Sequence, residues 1–314
     1  MSFTGINFAL LATLSWAIGI FPFTQAARRL GVSSLNHFRL ILACVLVFSL
    51  SLSIRPSQLF EIFSEQHISA WIWLGLSGII GMTIGDHFGF AAFRILGARL
   101  GSVLMTLAPA AALFAGFFLN GDRMSLIGMA GIIITICGVM WISLGRSERK
   151  LIPDYGHGSI IKGILFGLIS ALCQGTGLVM AQKGIFASGE IYPVHATFMR
   201  LLCATLSLFI FSTLTGKIAD ELRPVIKNQN NGIKFAVSGT MFGPVIGVTL
   251  SIFTVFYINA AVAQTIFSLV PVFALFIAYF LIKDRISPKA LAGVIVAVAG
   301  VIILIWRDKL NELF

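Results

Sequence analysis

An aspartate and a histidine stand side by side inside a long apolar run, at Asp86 and His87. At 1.5 Å of rise per helical residue they lie roughly 7 to 9 Å past the middle of that run. An ionisable group in apolar surroundings usually faces a cavity or a partner. Asp86 could load and release a proton, helped by His87, whose side chain points roughly 100° away around a helix. The structural alternative is a salt bridge from Asp86 to Arg94, or a helix cap.

Two arginines, Arg39 and Arg200, also fall inside apolar runs. Long arginine side chains can extend to a membrane interface or bind carbonyls at helix ends, and the sequence favours this structural interpretation. Binding of a substrate carboxylate or phosphate is the functional alternative. The neighbouring histidines His37 and His195 are predicted to be solvated, because each is close to the end of a run.

Composition explains why these charges are exceptional. Of the 314 residues, 58% are hydrophobic and only 11% are charged, with a mean hydropathy of +0.97. A soluble domain has roughly 25% charged residues, so this chain is predicted to be solvated by lipid. The net charge of +10 is spread over short gaps between apolar runs, which argues against a nucleic-acid partner. The four cysteines have neither disulfide nor metal-ligand spacing, so we expect no metal site.

The apolar runs predict membrane-spanning helices, each needing about 20 residues to cross the hydrocarbon core. The first run lacks a preceding basic region and a cleavage site, so we expect it to remain as a helix. The remaining gaps are too short for a separate soluble domain. The predicted spans are 5–24, 34–54, 70–93, 100–119, 124–144, 160–182, 193–215, 234–257, 262–282 and 289–306.

A repeat at an offset of 162 residues divides the chain in two. The stretch that contains Pro109 and continues to an Asp-Arg turn at 122–123 reappears around Pro271 and at 284–285. The same offset relates the glycine ladder Gly81 and Gly85 to Gly243 and Gly247, and an offset of 161 relates Arg39 to Arg200. Five helices per half place the second half upside down, the inverted repeat of many secondary transporters. A gene duplication alone would also produce it.

Lysine and arginine counts predict the orientation. Loops after odd-numbered spans are richer in basic residues than the other loops and termini, which places both termini outside the cytoplasm. Glycines at every fourth position allow close helix packing. Pro109, Pro244 and Pro271 remove backbone donors within spans, so each is a candidate hinge or gate.

These motifs resemble the drug/metabolite transporter superfamily, and within it the EamA-type ten-helix transporters. The resemblance lies in Trp16 followed by small residues, in Arg39-Leu-Ile-Leu-Ala, and in the proline, acidic-Arg turn and glycine-rich helix of each half. Ala17 departs from the family's usual glycine. The resemblance implies an all-α integral membrane protein with ten transmembrane helices as two inverted five-helix repeats. The first EamA-like repeat spans 1–146 and the second 160–314, joined by a loop at 147–159.

The resemblance also implies a central cavity open to one side at a time. Polar or aromatic side chains on the helices around it are the predicted substrate contacts, and together with the charged pair they are Trp16, Asp86, His87, Gln174, Tyr257, Asn259 and Gln264. Tyr257 is weakened as a candidate because a tyrosine near a span end is commonly an interfacial anchor.

The sequence therefore predicts a secondary transporter of small metabolites such as amino acids, acting as exporter or exchanger in the cell (inner) membrane. ATP-driven transport and catalysis are unsupported, because the chain has no phosphate-binding loop, zinc-protease motif or nucleophile elbow. We expect no cofactor. Proton coupling and a homodimer are left open. The alternative is a non-transporting membrane protein of the same fold, either a lipid-handling enzyme or an assembly subunit.

Overall fold

The computed structural model describes residues 2–143, 159–282 and 288–311, and the regular elements in these ranges are helices. Residues 147–158 of the predicted loop and the second acidic-Arg turn at 283–287 lie outside the described residues. The helices are α1 Phe3–Leu30, α2 Val32–Ile54, α3 Pro56–Glu61, α4 Ile68–Ser77, α5 Asp86–Met105, α6 Ala108–Asn120, α7 Leu126–Ser143, α8 Ile160–Phe186, α9 Pro193–Leu214, α10 Ile218–Ile226, α11 Ile233–Thr240, α12 Thr249–Tyr257, α13 Ala260–Phe267, α14 Val270–Ile282 and α15 Pro288–Asn311.

Seven helical stretches among the described residues are long and apolar enough to cross a membrane. Three shorter apolar helices, Ala108–Asn120, Leu126–Trp141 and Leu291–Arg307, coincide with the other predicted spans. The all-helical membrane architecture therefore agrees with the sequence. The count of ten crossings stays a prediction, because length and composition single out only the seven.

Two wide π-helical segments, which the sequence did not predict, interrupt the long helices. Gly78–Gly85 joins α4 to α5, and Met241–Val248 joins α11 to α12. They occupy positions related by the repeat, and each contains two of the ladder glycines. Wide turns of this kind are rare in proteins, and those that do occur are often at functional sites. Both segments contribute residues to the central cavity described below.

Two further helices are broken at positions related by the same offset. The helical hydrogen-bond pattern is interrupted between α5 and α6, and again between α13 and α14, although Leu107 and Ser268 keep right-handed helical dihedral angles. Pro109 and Pro271 are each the second residue of the helix that follows the break. Both prolines lie within predicted spans, but in the first turn of a helix, where N–H groups have no internal acceptor, so neither removes a helical hydrogen bond. Their role as hinge or gate stays a prediction. Pro244 does lie inside a helical segment, the second wide turn.

The helices α7 and α15 form the most extensive helix pair, through direct backbone contact. A Cβ placed on Gly138 would collide with the backbone of Ala297, and one on Gly300 would lie 2.5 Å from the Thr135 nitrogen. Residue numbers rise along one helix as they fall along the other, so the two helices run antiparallel. Small residues thus allow the approach, as the sequence predicted for glycine-rich helices.

We predict that Gly300→Leu lowers the thermal unfolding temperature in detergent, because the new side chain must force α7 and α15 apart. Overpacking of this kind costs about 1–3 kcal/mol. Ala299→Leu, on the exposed face of the same helix, is the matched control and should leave the unfolding temperature unchanged. Equal unfolding temperatures for the two variants would contradict the close backbone contact.

Candidate functional site

A central cavity of about 170 Å³ lies between helices of both halves. Its walls combine aromatic rings with a small set of polar groups, the usual composition of a small-molecule site. The polar and charged lining residues are Trp16, Arg39, Asp86, Ser102, Ser170, Gln174, Arg200, Ser251, Gln264 and Ser268. The cavity is therefore a site to which the predicted first and second repeats both contribute.

Asp86 and Arg39, which both line the cavity, form an ion pair. Arg39 Nη2 lies 2.6 Å from Asp86 Oδ2, and the side-chain amide of Gln174 donates to Oδ1 at 2.5 Å. Gln174 also donates to the Gly81 carbonyl at 3.3 Å, inside the first wide turn. Both carboxylate oxygens thus have donors, one from each half. The partner considered from sequence, Arg94, is not the residue that pairs with Asp86.

Arg39 is held rigidly in place. Its Nε donates to the Asn36 side chain at 2.9 Å and its Nη2 to the Met82 carbonyl at 2.7 Å, and its guanidinium lies over the Phe90 ring. The Met82 carbonyl belongs to the wide turn Gly78–Gly85, where the ordinary helical hydrogen-bond pattern is displaced. Only 1% of the Arg39 surface is exposed, so Arg39 does not extend to the membrane interface, and its bond to the Met82 carbonyl is a backbone contact of the kind that the structural interpretation offered as its other form.

Arg200 enters the same cavity from α9 on the opposite side. It is 4% exposed, and its guanidinium lies beside Gly81, 3.7 Å from where a Cβ would stand. A side chain at Gly78 would collide with the Arg200 carbonyl, so the small residues of the wide turn admit α9. The interface reading was wrong for Arg200 as well. The two arginines related by the repeat therefore line the same cavity as Asp86.

Trp16 and Gln264 also line the cavity, as the resemblance implied. The Trp16 ring meets the edge of Phe267 with centroids 4.9 Å apart, and Gln264 donates to the Gln174 carbonyl at 3.1 Å. A Cβ on Gly247 would collide with the Trp16 nitrogen Nε1. Gly247 of the second wide turn therefore leaves room for Trp16. Gly85 of the first wide turn lies close to Gln174 in the same way.

Three of the predicted substrate contacts, Tyr257, Asn259 and His87, lie outside the cavity lining. Tyr257 is 45% exposed and stacks with Phe8, and it is not part of the cavity lining. Asn259 caps α13 by accepting from the Ala261 N–H at 2.9 Å. Its neighbour Gln182 bonds the carbonyls of Val255 and Ile258 and the N–H of Ala260, which satisfies the backbone between α12 and α13. Asn259 therefore makes a structural contact at the junction between α12 and α13.

His87 lies outside the cavity lining, and its ring meets Phe88 at a centroid distance of 5.8 Å. Its help to Asp86 stays a prediction. A polar cluster lies under the connection after α9, where His37 Nε2 is 3.1 Å from the Ser212 hydroxyl and Ser212 donates to Glu221 of α10 at 2.5 Å. His37 and His195 are both buried, so the prediction that they are solvated was wrong.

Among the prolines, Pro244 and Pro271 line the cavity, whereas Pro109 does not, although its neighbour Ala108 does. Four serines of the lining, and Asn36, which orients Arg39, were not predicted as site residues from the sequence. Asn36 had a usable signal, because residues three apart share a helix face and it precedes Arg39 by three. The serines had none, since their spacing matches that of ordinary packing residues.

The model of the EamA-like transporter family matches residues 3–144 and again 161–306. The chain belongs to the EamA-like transporter family. Its two matches follow the repeat seen in the sequence. Membership makes this a multi-pass protein of the cell membrane in a family of transporters.

Curated relatives of this EamA-like chain are themselves named as transporters. An uncharacterized transporter of Synechocystis sp. is 22% identical over 87% of this chain and 81% of its own length. A riboflavin transporter of Fusobacterium nucleatum is 26% identical over 48% of this chain and 49% of its own length. A crystal structure with 16% identity covers 98% of both chains at a TM-score of 0.69, which is a likeness of fold.

The ion-pair geometry predicts that Asp86→Asn destabilises the protein more than Arg39→Gln. Losing Asp86 leaves two buried arginines in one cavity without a counter-charge, whereas losing Arg39 leaves Asp86 with Arg200 as a counter-charge in the same cavity. Breaking a buried pair by removing one partner costs about 3–5 kcal/mol. Thermal unfolding in detergent checks the order of the two variants, and a double variant should lose less than the sum of the single ones. Additive effects would contradict the pairing.

Proposed function

We propose that this EamA-like protein is a secondary transporter that exports or exchanges small metabolites by alternating access around the central cavity. The observation that carries the proposal is the polar centre of the cavity, where side chains from both halves meet: Asp86 and Arg39 from the first, Gln174 and Arg200 from the second. If the halves rock against each other, this centre is where a bound solute would be passed between the two sides.

The arrangement of the helices supports two inverted halves. The pair α7 and α15 runs antiparallel, as the last helices of oppositely inserted repeats should. A second antiparallel pair, α2 with α9, has Phe48 beside Phe198 and His37 beside Phe209, two contacts that the repeat offset of 161 interchanges. The two family matches support repeats at 1–146 and 160–314. Ten crossings follow from this proposal.

Loop contacts support the orientation proposed from charge. Arg29, after the first span, donates to the Asn230 carbonyl in the connection after α10, and Gly97, after the third, lies beside Arg28. Connections after three odd-numbered spans therefore meet at one face. This basic face is the proposed cytoplasmic side.

The size and lining of the cavity support a small organic solute. The named activity of one relative, riboflavin transport, concerns a solute of that kind. Amino acids are the proposed type of cargo that the family resemblance implies.

Transport is tested by reconstituting the protein in vesicles and measuring uptake of a labelled metabolite mixture. We predict that Ser251→Phe lowers uptake at least about tenfold, because Ser251 lines the cavity and a phenyl ring would fill it. Ser53→Phe places the same ring on an exposed position of α2 and should transport normally. Vesicles with no uptake by the wild-type protein would instead favour the non-transporting alternative.

Proton coupling through Asp86 is the proposed source of energy. Protonation would remove the negative charge that holds Arg39, and so would release α2 from α5 in one state of the cycle. We therefore predict that an imposed pH gradient changes flux in the wild-type protein and not in Asp86→Asn. Exchange of labelled for unlabelled solute without a gradient serves as the control for folding. A full response of Asp86→Asn to the gradient would mean exchange or facilitated diffusion.

A further inference from the structure

Arg200 is a lining residue of the cavity and has buried donors that the protein does not use. Its Nε and Nη1 atoms are buried and have no hydrogen-bond acceptor among the described residues. The side chain is 96% removed from the surface and is part of the cavity lining. A guanidinium carries five N–H donors and stays charged, so leaving it unsatisfied in an apolar wall is costly.

The charges in the cavity do not balance. The ionisable side chains among the described lining residues are Arg39, Asp86 and Arg200. Both oxygens of Asp86 are already engaged, one by Arg39 and one by Gln174. With all three groups ionised, one positive charge remains, and it belongs to the arginine with the free donors.

We propose that the cavity binds a small oxyanion through Arg200, with a carboxylate as the group that the guanidinium holds. This rests on the proposed function and names its substrate class. Planar N–H donors match carboxylate and phosphate oxygens in geometry and charge. The bound anion would bring the cavity to neutrality and satisfy the donors of Arg200 at once.

The rest of the cavity specifies the rest of the solute. The aromatic lining residues are Trp16, Phe23, Phe90, Phe93 and Phe267, and they surround the polar centre with apolar surface. A cavity of about 170 Å³ suits a compact molecule. The solute class is therefore an acid with an apolar body, and a cationic solute would be repelled by the surplus charge.

The test is a binding experiment on the purified protein, read by thermal unfolding and by tryptophan fluorescence. The probes are benzoate, N-acetyl-leucine and phenyl phosphate, each beside its neutral counterpart benzamide, N-acetyl-leucinamide and phenol, at about 10 mM. A ligand that binds only the folded state raises the unfolding temperature. We expect the anions to stabilise the wild type and the neutral compounds not to. The ranking of the carboxylates against phenyl phosphate identifies the preferred oxyanion.

The variants connect binding to Arg200. Arg200→Gln should weaken anion binding about 10- to 100-fold, as for loss of a charged hydrogen bond, and Arg200→Lys should restore part of it. Arg223→Gln makes the same change at an exposed residue of α10 and should bind as the wild type does. Because Arg200→Gln removes an unsatisfied charge, it should unfold no earlier than the wild type without ligand.

Two results would overturn the inference: no stabilisation by any of the three anions, or stabilisation that Arg200→Gln retains. The proposed function fails separately. Anion binding that depends on Arg200, together with no vesicle flux, would keep this site and remove the transporter proposal. Flux of neutral or cationic solutes that Arg200→Gln leaves unchanged would keep the transporter proposal and remove the anion site.

Discussion

A charge placed in the middle of an apolar protein must find its partners inside the protein, and this requirement organises the centre of the structure. Asp86 is satisfied by Arg39 and by Gln174, so α2, α5 and α8 are tied together at one point. Arg39 in turn needs the Met82 carbonyl, which lies in the first wide turn. The same wide turn holds the glycines that allow α9 to approach, so the network and the helix packing meet at the cavity.

The sequence predicted the apolar helices well, because the burial of about 20 apolar residues leaves few alternatives to a helix in lipid. It also located the charged centre at Asp86, since an acidic residue deep in a span is rare. It was wrong about the membrane interface as a place for the arginines, although Arg39 does bind a backbone carbonyl. Distance from a span end predicts depth and says nothing of the face, so Arg39 and Arg200 could be placed at an interface when in fact they point inwards.

The breaks and wide turns were missed for a different reason. Hydropathy is the same whether a backbone N–H bonds four or five residues back, so neither wide turn leaves a trace in the pattern of apolar residues. Asn259 illustrates the same difficulty for side chains. A polar residue between two spans fits both a substrate contact and a helix cap, and only the position of the Ala261 N–H distinguishes them.

The contact between α7 and α15 has the form of a subunit interface within one chain. Gly138 meets Ala297 and Gly300 meets Thr135, and the repeat offset turns the first contact into the second. A surface that faces its own copy is what joins the two chains of a twofold dimer. In a dimer of identical chains every substitution would occur twice. A carboxylate at the position of Asp86 would then also be present at the position related by the repeat, where this chain has Val248. Covalent fusion of the two copies removes that constraint, which is how a nearly symmetric scaffold can hold a single acidic group between two matched arginines.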